Sequence, residues 1–244
     1  MIIVVYVITV GAQNLNYNWQ WYRVPNFIYK VTKEGLIWGP LSTGLVNTVI
    51  LSSIAFGLSI VGGLLLSLVR LSNSIVGQAA SNVYLEIVRN SPILVLLYVF
   101  YYVFGPIFEL NRYWASIMCL AFYHAAFISE VFRAGILSVN KGQWEAAEAI
   151  GMSQPECYRY VILPQAIRIM LPPMTGEAIS MIKHSAIVSV IAVAELTTMG
   201  RNIISETYMS FEIWFTVAAL YLAITLVLSV VVSILEKKYA VVER

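Results

Sequence analysis

The chain has 244 residues, 59% of them apolar and only 11% charged, with a net charge of +2 and a mean hydropathy of +0.78. A soluble domain carries about 25% charged residues, so a chain with this composition has lipid as its natural solvent. The small net charge gives no footing for a nucleic-acid partner.

In chain order, residues 1–12 (MIIVVYVITVGA) are apolar but shorter than the roughly 20 residues a spanning helix needs. They lack a basic n-region, so a signal peptide is weakly supported. The stretch NLNYNWQWYRVPNF is rich in Trp and Tyr, as at a membrane–water interface. Residues 1–42 therefore read as an N-terminal interfacial or periplasmic segment; in the alternative, residues 1–12 are the tail of an additional helix. Five stretches then qualify as spans: 45–69, 90–108 (starting earlier, near Val83), 113–129, 165–194 and 213–235. The expected fold is all-α, a polytopic membrane protein with about five core helices over residues 43–236 and a tail at 237–244. Cys119 lies in an apolar run and Cys157 in a polar loop, so both are expected to be free thiols.

Positive residues set the expected orientation. Lys141 and Arg159, flanked by Arg133 and Arg168, fall in the long loop after the third span; Lys237, Lys238 and Arg244 follow the fifth, and Arg70 ends the first. Five spans put these on one side, taken as cytoplasmic, with the N-terminus outside. Arg23, Lys30 and Lys33 on the other side weaken the bias.

The loop at 138–164 reads as two short helices at an angle. Glu145 to Ile150 favours helix, and Gly151 stands where a helix stops. Ser153 begins a second helix with Glu156 as its capping-box partner and Pro155 in the first turn. Pro164 is expected to end or kink it.

The spacing Glu145-Ala146-Ala147, then Gly151, then Val161-x-Leu163-Pro164 resembles the EAA loop of ATP-binding-cassette importer permeases, with Val161 in place of the usual Ile. YLEIVRNSPILVLLYVFYY, FISEVFRAGILSVNKGQWEAAEAIGMS and ILPQAIRIMLPPMTGEAISMIKHSAIVSVIAVAEL are similar to further blocks of polar amino-acid permeases. The resemblance covers roughly four-fifths of the chain, from Gly44 onward. Leu96, where many relatives have Gln, and His124, where many have a small residue, depart from it. It implies a permease subunit for polar amino acids (glutamate, aspartate, glutamine or basic ones) working as a homodimer or heterodimer in the cytoplasmic (inner) membrane. An ATPase dimer carrying ATP-Mg would dock on Glu145, Ala146, Ala147, Gly151, Leu163 and Pro164, and an amino-acid-binding protein would dock outside. No cofactor is implied for this chain itself.

Ionisable groups inside a span usually face a partner or a wet cavity. Glu177, Ser180 and His184, at i, i+3 and i+7, share one helix face and could receive the ammonium and polar groups of a zwitterion. The resemblance favours Glu177 as pore-facing; an interhelical contact is the plain alternative. His124, midway along the third span, reads as a satisfied structural histidine or as a further path residue. Glu86 with Arg89, and Glu130 with Arg133, are expected as local ion pairs or gate contacts, and Lys183 points away, toward another subunit or the interface.

Other classes fit less well. Without Asp there is no aspartyl dyad, and there is no H-E-x-x-H, G-x-S-x-G or Walker A pattern. This argues against an enzyme. A secondary transporter would need more spans and an internal repeat; a passive scaffold leaves the loop unexplained.

Overall fold

The structure is a computed structural model that describes residues 17–33 and 35–239. The expectations for residues 1–12 and for 240–244 lie outside the described residues. A short antiparallel hairpin, β1 (Tyr29–Thr32) and β2 (Gly35–Trp38), precedes the main helices. These are α1 (Pro40–Leu71), α2 (Ile75–Asn90), α3 (Ile93–Tyr98), α4 (Arg112–Leu137), α5 (Lys141–Ala149), α6 (Leu163–Ser185), α7 (Leu196–Thr207) and α8 (Ser210–Tyr239). The helical class holds, with the hairpin as a local exception that sequence periodicity did not announce.

By length and apolarity, α1, α4 and α8 each suffice to cross a membrane, and two bent helix pairs bring the number to as many as five when each pair is counted as one span. The first bent pair corrects the expected second span. The chain is helical from Ile75, then turns by 108° between α2 and the run Ile93–Ile107. Pro92 causes the break: it excludes Ser91 from the helical region, and Ser91 is extended at φ −102°, ψ 134°. The second pair corrects the fourth span. Helix α6 passes into a 3₁₀ turn, Ala186–Ile191, stops at Ala192 (φ 55°), and α7 resumes at an angle of 46°.

Backbone groups freed at such a break need partners, and two other helices supply them. Asn47 Nδ2 donates to the Ala194 carbonyl at 2.8 Å, Thr48 Oγ1 accepts from the Leu196 amide at 3.1 Å, and Arg112 donates to the Ala192 carbonyl at 3.2 Å. Arg201 caps the Ser189 carbonyl. The break is therefore held by α1 and α4 together.

Helix α1 lies closest against α4, and small residues make that contact possible. Ser52, Ala55, Ser59, Gly63 and Ser67 are buried along α1. A Cβ on Gly63 would come within 2.6 Å of Ile128 Cγ2. Where lipid replaces water, helix association rests on such close packing rather than on apolar burial.

Candidate functional site

The sequence places Glu177 and His184 on one face of α6, and the structure brings His124 of α4 between them. His124 Nδ1 is 2.9 Å from Glu177 Oε2, and His124 Nε2 is 3.2 Å from His184 Nδ1. The histidine is 1% exposed and the Glu177 side chain 23% exposed. Tyr123 closes the group edge-on, its ring 5.4 Å from that of His124 and 5.8 Å from that of His184. Ser180 lies between the two on the same helix, half-buried, while Lys183 is exposed. The result is a carboxylate and two imidazoles at mid-span, reachable from the exposed side of α6.

That exposed side carries Pro173, Gly176 and Lys183. A Cβ on Gly176 would meet nothing within 4 Å. This stretch carries small side chains and one charge, in contrast to the surface of α8, where Leu222, Leu226 and Val230 are exposed.

The loop helix α5 starts earlier than expected, at Lys141, because the Asn140 side chain accepts the Gly142 amide at 2.8 Å. It ends at Gly151, with φ 77°. The Gly151 amide bonds the Glu148 carbonyl at 2.9 Å and the Met152 amide bonds the Ala147 carbonyl at 3.1 Å. This paired closure is the Schellman motif. Glu156 then reaches back to the Ser153 amide at 2.9 Å and its hydroxyl at 2.6 Å. Ala147 is buried beneath, Trp144 packs edge-on against Tyr158 at 5.2 Å, and Glu145, Ala146, Glu148 and Ile150 face outward.

Pro164 does not end the second helix. A helical turn, Gln154–Cys157, widens into a π-helical turn, Tyr158–Ile162, and continues as α6 through Leu163 and Pro164. The Leu163 amide bonds the Tyr158 carbonyl, five residues back. A widened turn before a proline lets the helix pass it despite the missing N–H.

With this geometry established, comparison with known proteins identifies the family. A profile described as "Binding-protein-dependent transport system inner membrane component" matches residues 59–241. The chain belongs to this family. It is 36% identical over 201 residues to the glutamine transport system permease protein GlnP of Escherichia coli (strain K12), covering 81% of this chain and 92% of that one. It is 35% identical over 196 residues to the probable glutamine ABC transporter permease protein GlnM of Bacillus subtilis (strain 168), covering 80% and 91%. Among solved structures, an amino acid ABC transporter with histidines matches at a TM-score of 0.76 and 37% identity, over 82% of this chain and 94% of that one. The MetNI methionine ABC transporter matches at a TM-score of 0.71 and 20% identity, over 82% and 96%, which speaks for the fold alone. The chain is thus a multi-pass inner membrane component of a transport system.

In this inner membrane component one of the two expected ion pairs forms, Glu130 with Arg133, and the other, Glu86 with Arg89, does not. Glu130 is the hub: Arg70 is 2.8 Å from Oε1, Arg133 is 3.1 Å from Oε2, and Arg89 is 4.0 Å away. Glu86 does not pair with Arg89; it accepts from the Asn90 side chain at 2.9 Å. An i, i+3 spacing allowed the pair, but Arg89 finds the carboxylate of α4 instead. Cys157, in the polar loop, is 4% exposed because it packs under α5 with Ile162 and Ala166. Both cysteines are free.

Two fully buried carboxylates escaped sequence reasoning. Glu195 caps α7, accepting from the Thr197 amide at 2.8 Å and the Thr198 amide at 2.7 Å, and takes the Tyr221 hydroxyl at 2.8 Å. Glu212, at the start of α8, accepts from the Tyr17 hydroxyl and the Gln20 amide, both at 2.6 Å. The second contact anchors the aromatic N-terminal stretch, with Tyr17 and Trp19 packed on Phe211. Glu is not among the side chains that commonly cap a helix N-terminus, so Glu195 gave no local signal of its role, and nothing local pointed to Tyr17.

Proposed function

We propose that this chain is one of two permease subunits of an ATP-driven importer for a polar amino acid. The observation that carries the reading is the Glu177–His124–His184 group at mid-span, beside the exposed face of α6. An ionised group at the bilayer centre costs on the order of 2.5–3.5 kcal/mol on insertion scales, and such groups mark substrate paths. The relatives whose names specify glutamine support an amino acid with a polar side chain, and glutamine is the first to test.

The side of α6 that carries Pro173 and Gly176 lets another helix approach closely and suits a second permease across a two-fold or pseudo-two-fold axis. The outward side of α5, with Glu145, Ala146, Glu148 and an exposed Ile150, suits an ATPase subunit on the cytoplasmic side. Hydrolysis of ATP-Mg belongs to that partner, and an amino-acid-binding protein docks at the opposite end, where the hairpin and the N-terminal stretch lie. In this arrangement the N-terminus is outside and the C-terminus cytoplasmic. Closure of the ATPase pair moves α5, and with it α6.

The test is Glu177→Gln in proteoliposomes with the full complex, normalised to assembled transporter. A path residue predicts slowed or redirected uptake across a panel of amino acids, with assembly and ATP hydrolysis retained. Reduced assembly with unaltered selectivity would assign Glu177 to structure instead.

A further inference from the structure

The contacts around His124 leave little freedom in where the protons sit. Each hydrogen bond needs one proton between its heavy atoms, and a neutral imidazole has one N–H and one acceptor nitrogen. With Glu177 ionised, His124 donates to it from Nδ1, so His124 Nε2 is an acceptor. His184 then donates from Nδ1 across the 3.2 Å contact. The remaining nitrogen, His184 Nε2, carries a lone pair. One proton added at the Glu177–His124 end reverses the second bond. Whether that proton rests on Glu177 or makes His124 an imidazolium, His124 donates from Nε2, His184 accepts at Nδ1, and His184 Nε2 becomes an N–H.

We propose that His124 is a positioning residue that sets the hydrogen-bond polarity of the transport path. In the deprotonated state the α6 face presents two acceptors, the Glu177 carboxylate and His184 Nε2, suited to the ammonium and side-chain N–H groups of an amino acid. The protonated state brings the net charge of the group to zero and turns the second acceptor into a donor, so N–H-rich ligands bind less well. The inference rests on the reading of Glu177 as a path residue.

The surroundings leave this chain of bonds in control. On α6, Lys183 is the adjacent charge and is exposed; on α4, Tyr123 meets both rings by its edge. The ionisable residue of α1 is Arg70, taken up by Glu130. From α2, Tyr84 donates to the Phe122 carbonyl. On α8, Tyr221 is engaged by Glu195 and Glu212 by Tyr17. Tyr101 and Tyr113 pack against the same apolar core and bring no charge near neutral pH.

The experiment is equilibrium binding of radiolabelled L-glutamine and L-arginine to the assembled transporter in nanodiscs. ATPase subunits are present, the binding protein is absent, and pH runs from about 5.5 to 8.5, the range in which an imidazole changes charge. In the wild type, the Kd for L-arginine is expected to rise about tenfold or more from the alkaline to the acid end, with a smaller rise for L-glutamine. His124→Gln, whose amide donates and accepts without titrating, is expected to flatten that rise to under about twofold. His124→Phe keeps ring volume but removes both hydrogen bonds, and is expected to weaken binding of both probes at alkaline pH. A wild-type profile flat within about twofold overturns the inference without any variant, and so does a full acid rise retained in His124→Gln. If Glu177→Gln binds both probes like wild type, the path reading itself fails. If Glu177→Gln loses binding while both His124 variants match the wild type in affinity and pH profile, only the role of His124 fails. Absence of binding by the wild type at every pH overturns both.

Discussion

Arg70, at the C-terminal end of α1, holds its guanidinium 2.8 Å from the carboxylate of Glu130 on α4. The Arg70 side chain is 13% exposed and that of Glu130 29%, so water screens the pair only in part. Arg89, 4.0 Å from the same carboxylate, is 52% exposed.

The two arginines should therefore couple to Glu130 unequally. A double-mutant cycle of Arg70→Met with Glu130→Gln is expected to give about 1.5–3 kcal/mol, as for a hydrogen bond to a charged group. The cycle with Arg89→Met is expected to give about 0.2–1 kcal/mol, as for an exposed pair. Thermal unfolding of the purified complex measures both. Equal couplings would show that the short contact carries no special weight.

Gly151 occupies the left-handed region at φ 77°, and a Cβ there meets nothing within 4 Å. The cost of replacing it is then conformational, roughly 1–2 kcal/mol for an L-residue and greatest for a β-branched one. Gly151→Val should spoil the elbow of the loop, lowering amino-acid uptake per ATP hydrolysed while insertion is retained. Gly151→Asn, which tolerates this region, should lose less. The ratio of uptake to hydrolysis in proteoliposomes measures the effect, and a normal ratio for Gly151→Val would remove the elbow from coupling.

Orientation can be read with new thiols, because Cys119 and Cys157 are 0% and 4% exposed. Ile150 on the loop is 73% exposed and Trp38 on the hairpin 69%. An impermeant maleimide added to intact cells should label Trp38→Cys and spare Ile150→Cys; permeabilised cells should label both. The reverse pattern in intact cells would invert the proposed topology.

Glu195 satisfies two amides and a tyrosine hydroxyl in a fully buried place. Glu195→Ala should cost at least the roughly 0.5–2 kcal/mol of a lost N-cap, plus the desolvation of the abandoned Tyr221 hydroxyl. Adding Tyr221→Phe should return part of the loss, since an absent hydroxyl needs no partner. Melting temperatures of the single and double variants decide this; strictly additive losses would deny the shared contact.

Much of this architecture was legible before any coordinates. Three of the spans follow from length and apolarity alone, and Gly151, Ser153 and Glu156 announced the elbow through their local chemistry. The breaks were harder to read. Pro92 sits in an apolar run, so hydropathy carried the second span straight through it. The stop at Ala192 depends on Asn47, Thr48 and Arg112, donors and acceptors from helices distant in sequence. Periodicity placed Glu177 and His184 on one face, but no one-dimensional pattern could bring His124 between them; only the packing of α4 on α6 does that. Glu86 and Arg89 had compatible spacing, and the better carboxylate lay on another helix.

The widened turn at Tyr158–Ile162 has a rotational consequence. Each residue of an α-helix advances the direction of its side chain by about 100°, so one surplus residue offsets everything downstream by most of a right angle or more. The azimuth at which Glu177 and His184 meet α4 is thus decided beside the loop, about 20 Å or more along the axis from either residue at about 1.5 Å per residue. If that turn tightened to ordinary helical winding, Glu177 would swing away from His124. Loop and path are in phase with each other, as two gears on one shaft, and the π turn is the tooth that sets their timing.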